Sequence, residues 1–180
     1  MTLVTAIREA FAPLVGLKLS IARDAGSMKV FHFGDLRPHP HGGTMGEFAL
    51  HVQCPWRLTT VERIITGSGD FSIPLCGENA EGQSSEGEAA VSVQDARLLD
   101  LFGKYDPQTD SFENISEVLC AQSVEADVYG GVRIGLSGGF SLELMPAGSD
   151  DDPIGETWRL FRPFGVHYIF RPRGRLDREG

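Results

Sequence analysis

Val118-Leu119-Cys120-Ala121-Gln122-Ser123-Val124-Glu125-Ala126-Asp127-Val128-Tyr129-Gly130-Gly131-Val132-Arg133-Ile134-Gly135-Leu136-Ser137-Gly138-Gly139-Phe140-Ser141-Leu142-Glu143-Leu144 is the stretch that decides the fold. Val118, Cys120, Val124, Ala126 and Val128 alternate with their neighbours, then Val132, Ile134 and Leu136 alternate, and Phe140, Leu142 and Leu144 alternate again. Period-two runs separated by Gly-Gly pairs predict three antiparallel strands joined by tight turns. Nothing in the run has the length or the 3.6-residue period of a crossover helix.

Working outward, the same alternation recurs upstream. Leu17, Leu19 and Ile21 alternate, Asp24-Ala25-Gly26-Ser27 supplies turn chemistry, and Met28–Phe33 returns as the second arm of a hairpin. Arg37-Pro38-His39-Pro40-His41-Gly42-Gly43 reads as a loop, because proline cannot donate to a ladder. Phe48, Leu50 and Val52 resume a strand, and 58–66 predicts another before the turn Gly67-Ser68-Gly69-Asp70. Downstream, a last strand over 166–170 follows Trp158-Arg159-Leu160-Phe161, and the arginine-rich tail 171–180 is expected to fray.

Two segments break this pattern. Leu3, Ile7, Ala10, Phe11 and Leu14 lie on one helical face, ended by Pro13 and Gly16. Ser92 with Asp95 three residues on has the form of a capping box, and Leu98, Leu101, Phe102 and Tyr105 extend a second helix until Asp106-Pro107. Between them, 77–90 is acidic and holds no large apolar residue, so it is expected to be a mobile loop within one domain spanning 1–180. The fold class is α+β: a mainly antiparallel sheet, curved or split, with the amino-terminal helix and one further helix packed on it.

At 180 residues the chain is long enough for a core without disulfide or metal support. Its 25 acidic against 16 basic residues give a formal charge of -9, which repels nucleic acid and anionic membrane and suits a basic protein partner. Homo-oligomerisation is compatible with this composition. No apolar run reaches the roughly 20 residues of a membrane span, and no signal-peptide pattern opens the chain. Cys54, Cys76 and Cys120, three thiols at wide spacing, read as reduced cysteines of a cytoplasmic protein rather than a disulfide or zinc framework.

Candidate chemistry is sparse. His32, His39, His41 and His51 lie within twenty residues, with Asp35 and Cys54 nearby, and would be the ligands if the chain held a metal. The prolines around His39 favour polyproline II, whose threefold period sends His39 and His41 in different directions, so a solvated loop is the simpler reading. His51 and Cys54 lack an orienting carboxylate for nucleophilic catalysis. Trp56-Arg57 and Trp158-Arg159 could pair an aromatic face with a guanidinium around a small planar or anionic ligand, although tryptophan more often packs a core. Asp150-Asp151-Asp152 lacks the spaced ligands of a calcium loop, and Gly67-Ser68-Gly69-Asp70 lacks the Lys-Ser/Thr ending of a phosphate loop. No catalytic set and no cofactor emerge.

One echo runs through the chain: Gly46-Glu47-Phe48-Ala49-Leu50-His51-Val52 and Gly139-Phe140-Ser141-Leu142-Glu143-Leu144 each enter an alternating strand, and each later meets Trp-Arg-Leu. The spacing differs between copies, so the echo reads as convergent strand chemistry rather than a repeat. The run Gly139-Phe140-Ser141-Leu142-Glu143-Leu144-Met145-Pro146, with Glu156-Thr157-Trp158-Arg159-Leu160-Phe161, resembles small bacterial domains of unknown function, some grouped with toxin-neutralising immunity proteins. That resemblance implies a bacterial binding protein; together with the acidic charge and the absence of a catalytic set it leads to the expectation of a non-enzymatic binding protein of the toxin-neutralising kind. The competing expectations are a metal-dependent hydrolase built on the His32–His51 region and a small-ligand module built on the Trp-Arg pairs.

Overall fold

A computed structural model describes residues 1–40, 42–75, 91–115, 119–149 and 155–180. The expected 77–90 loop, Cys76, His41 and Asp150-Asp151-Asp152 lie outside them. Helix α1, Leu3–Phe11, is capped by Thr2, whose hydroxyl accepts the Thr5 N–H at 3.2 Å, and buries Ile7, Ala10 and Phe11. Helix α2, Val93–Phe102, opens on the expected capping box of Ser92 and Asp95.

The strands are β1 (Leu19–Ala25), β2 (Met28–Phe33), β3 (Arg37–Pro38), β4 (Thr44–Met45), β5 (Phe48–Val52), β6 (Trp56–Thr59) and β7 (Ile64–Gly67), then β8 (Gly103–Asp106), β9 (Ser111–Asn114), β10 (Ala121–Ala126), β11 (Val132–Leu136), β12 (Ser141–Leu144), β13 (Trp158–Phe161), β14 (His167–Arg171) and β15 (Arg175–Glu179). They form an eight-stranded sheet, β15-β14-β13-β5-β2-β1-β9-β8, a five-stranded sheet, β10-β11-β12-β6-β7, and the small ribbon β3-β4. All pairings among the described residues are antiparallel, and the sheet is split, not closed into a barrel. The inner faces of both sheets share one core, joined by the edge-to-face contact of Phe31 with Trp56 at 5.1 Å. Helix α1 packs on β10 and β15, and α2 on β7, β8 and β9.

Four expectations are corrected. The single strand over 58–66 is the hairpin β6-β7, because the Thr60 hydroxyl accepts the N–H groups of Glu62 and Arg63 and folds a turn there. The second helix stops at Phe102, where Gly103 takes φ 80 and accepts the left-handed cap, so Tyr105 lies on strand β8. The 37–43 loop is interrupted by the β3-β4 ribbon, in which Pro38 needs no N–H. The tail is no frayed end: β15 pairs along the whole of β14, and Asp177 accepts from both Arg171 and Arg175.

The echo has a structural counterpart. The order β1-β2-β5-β13-β14 repeats as β10-β11-β12-β6-β7, so each half lends its Trp-Arg-Leu strand to the other half's sheet. Trp158, Arg159 and Leu160 face Val52, His51 and Leu50; Trp56, Arg57 and Leu58 face Leu144, Glu143 and Leu142. Both first strands carry a bulge, at Ser20 and at Gln122. The halves meet where Lys18 bridges Cys120, with Leu19 N–H donating to the Leu119 carbonyl and Ala121 N–H to the Leu17 carbonyl, at 2.7 and 2.8 Å. Reading this echo as convergence is therefore corrected to a repeat in connectivity, hidden in the sequence by insertions such as β8-β9.

Candidate functional site

Strand alternation sends Phe31, Phe33, Leu50, Val52, Trp158 and Leu160 into the core and leaves Val30, His32, Ala49, His51, Arg159 and Phe161 on the opposite face of the eight-stranded sheet. There the β3-β4 ribbon closes over the strands. Its approach depends on Gly46, where an added Cβ would stand 2.6 Å from the Phe33 carbonyl oxygen. The result is a cleft of about 440 Å³ whose walls bring together Arg23, His32, His39, His51, Phe161 and His167.

His32 is 6% exposed, and its Nδ1 accepts the Gly46 N–H at 3.1 Å, which puts the ring proton on Nε2. Burial, reinforced by the Arg23 charge, pushes its pKa down to about 3. Burial, with Arg159 nearby, pushes that of His51 to about 4. Phe161 meets His51 edge-on at 4.8 Å and stacks on His167 at 4.7 Å. Imidazoles this reluctant to take a proton are hydrogen-bonding groups at neutral pH and poor general bases.

Their stability consequence has a definite sign. A histidine whose folded pKa lies below the unfolded value of about 6.5 contributes fully above pH 6.5 and loses that contribution as pH falls toward 4 and 3. Urea unfolding is expected to lose on the order of 3–6 kcal/mol between pH 7 and pH 4, and His32→Asn should flatten that limb. An unchanged slope in the variant would remove His32 as its source.

Arg23 is the odd cation. It reaches this face from β1, donates from Nη2 to the Thr44 carbonyl on the ribbon, and keeps a buried Nε without a hydrogen-bond partner. Burial lowers its pKa. Arg57, Arg133, Arg159, Arg162, Arg171 and Arg175 all make ion pairs; Arg23 makes none with a described residue, and unlike the likewise unpaired Arg37, Arg63 and Arg97 it is not exposed.

The sequence candidates fare unevenly. His32, His39 and His51 do line one cleft, and His167 joins them from β14. Among the described residues, however, no group of three His, Cys, Asp or Glu side chains could hold a metal ion. The Trp-Arg pairs do not act as clamps: Trp56 and Trp158 are 4% and 0% exposed, and each neighbouring arginine points to the other side of its strand, Arg57 to Glu143 at 2.7 Å and Arg159 to Glu156 at 2.9 Å. Cys54 sits in the core, where burial pushes its thiol up to about 11, so it forms no nucleophile with His51. Arg23, Phe161 and His167 escaped sequence reasoning, since strand register brings them together from both ends of the chain.

The rim carries one more unexpected residue. Arg162-Pro163-Phe164-Gly165 is a β-turn closed by Gly165 N–H to the Arg162 carbonyl, and Phe164, at φ 61, occupies the position where glycine is usual. Its ring is 82% exposed at the mouth of the cleft.

Compared with protein-family models, curated proteins and solved structures, the chain finds no match in any of the three.

Proposed function

We propose that this chain is a non-enzymatic binding protein that receives its partner at the histidine-lined cleft, and that the partner is a protein it neutralises by contact, as in toxin–immunity pairs. The observation that carries the cleft is Phe164: a large aromatic side chain held in a backbone conformation that disfavours it and left in water at the cleft mouth. Neither packing nor turn geometry calls for phenylalanine there. The weakly basic His32 and His51 support binding over acid–base chemistry. The formal charge of -9 and the immunity-type resemblance of the carboxy-terminal run support a basic protein as partner.

Phe164→Gly separates the roles of this residue. Glycine suits the positive φ, so the variant should unfold at the same or a higher temperature than wild type. Capture of the partner from extracts of the native host should fall at least about tenfold, the weight of an aromatic hot spot. Equal capture by wild type and variant would move the contact elsewhere, and consumption of a substrate at the cleft would replace the binding reading with an enzymatic one.

A further inference from the structure

The two sheets carry corresponding rows of side chains on their outer faces, and the rows differ in charge. Across the five-stranded sheet, register aligns Arg57, Glu143, Arg133 and Glu125. Signs alternate, and Glu143 pairs with Arg57 at 2.6 Å and with Arg133 at 3.7 Å. The equivalent row across the eight-stranded sheet is Arg159, His51, Val30 and Arg23. Both acids are gone from it.

Arg159 is balanced from outside the row by Glu156, but Arg23 is not balanced by any described residue. A half-buried guanidinium that lines the cleft without an ion pair to any described residue, in a chain with an excess of acids, is a site whose counter-charge comes from elsewhere. The Thr44 carbonyl fixes one end of the fork, and Phe161 with Val30 and Met45 supplies apolar wall beside it. One cation without an ion pair, beside the weakly basic His32 and His51, matches a monoanion with two coplanar oxygens.

We infer that the cleft binds a carboxylate attached to an aromatic or apolar body, with Arg23 gripping the carboxylate and the Phe161 wall receiving the body. The carboxylate belongs either to a free small acid or to the carboxy terminus of a peptide chain. This inference rests on the proposed role of the cleft as the binding site and adds the chemistry of what enters it.

The test is calorimetric titration of the full chain at pH 7.5 with phenylacetate, phenylacetamide, inorganic phosphate, and a peptide ending in Gly-Gly-Phe with a free or amidated terminus. Phenylacetate or the free-terminus peptide should bind at least about tenfold more tightly than its amide, as expected for losing a charge-assisted bidentate pair. The tighter of the two acids identifies the source. Arg23→Gln should abolish the preference while leaving binding of the amide in place. Equal affinity for acid and amide, a preference that survives Arg23→Gln, or phosphate binding more tightly than both acids would overturn the inference. Should Arg23→Gln fail to fold, the acid and amide comparison on wild type decides alone. If acids show no preference while Phe164→Gly still weakens partner capture, the carboxylate fails and the binding role stands; if neither effect is seen, both fall.

Discussion

Trp158→Ala is expected to cost about 3–5 kcal/mol of folding stability, the range for deleting a fully buried large aromatic side chain. Trp158 is 0% exposed and joins three parts of the molecule. Its ring meets Phe11 of α1 edge-on at 5.1 Å and stacks on Phe170 of β14 at 5.2 Å. Its Nε1–H donates to the Gly130 carbonyl, in the β10-β11 turn, at 2.8 Å. That turn admits only glycine at 130, where φ is 84 and a Cβ would stand 2.0 Å from the Phe170 ring. Trp158→Phe keeps much of the packing but orphans the Gly130 carbonyl, and should cost about 1–3 kcal/mol. Urea denaturation at pH 7 measures both. A loss below about 1 kcal/mol for the alanine variant would mean that the indole does not hold α1 to the sheets.

Lys29→Met should be as damaging for an electrostatic reason. Lys29 is 2% exposed; its Nζ donates to both Asp24 carboxylate oxygens at 2.8 and 2.9 Å and to Gln94 Oε1 at 2.8 Å, and it lies 5.9 Å from the centroids of Trp56 and Phe112. Gln94 in turn donates to the Gly67 carbonyl, docking α2 on β7. Methionine fills the volume but strands Asp24, so a loss of about 3–5 kcal/mol is expected at pH 7. Burial already holds the Asp24 carboxyl above its ordinary value with Lys29 present. Without Lys29 it rises further, and a raised folded pKa means stability that declines as pH climbs above the unfolded value of about 3.9. The difference between wild type and variant should therefore be smallest near pH 4–5 and largest at pH 7–8, the histidine contribution cancelling in the comparison. A difference independent of pH would show that Asp24 stays solvated. Adding Asp24→Leu should restore much of the loss.

The β1-β2 hairpin, the β10-β11-β12 meander and the Ser92–Asp95 cap were legible because period-two alternation, Gly-Gly turns and a capping box are local signals. Where a single residue changes phase, legibility ends. Val118, Cys120, Val124 and Ala126 share parity in the sequence, yet the bulge at Gln122 turns Leu119 and Ala121 to the core before Val124 and Ala126 follow. Gln122 has no composition that announces a bulge. Gly103 ends α2 in the left-handed conformation, but Leu98, Leu101, Phe102 and Tyr105 keep a helical spacing across it, so the boundary was not legible. The site was half visible: His32, His39 and His51 cluster in sequence, whereas Arg23 and Phe161 arrive through strand register.

The exchange of Trp-Arg-Leu strands between halves sets how the chain must fold. Strand β5 is made early in synthesis, yet one of its neighbours is β13, and β6 lies beside β12; neither sheet can be completed until the last quarter of the chain is available. Closing such distant pairs is paid in loop entropy before any contact rewards it, which places refolding toward the slow, millisecond-to-second end for small domains. On the ribosome the first half waits with open strand edges, a state in which chaperone capture competes with aggregation.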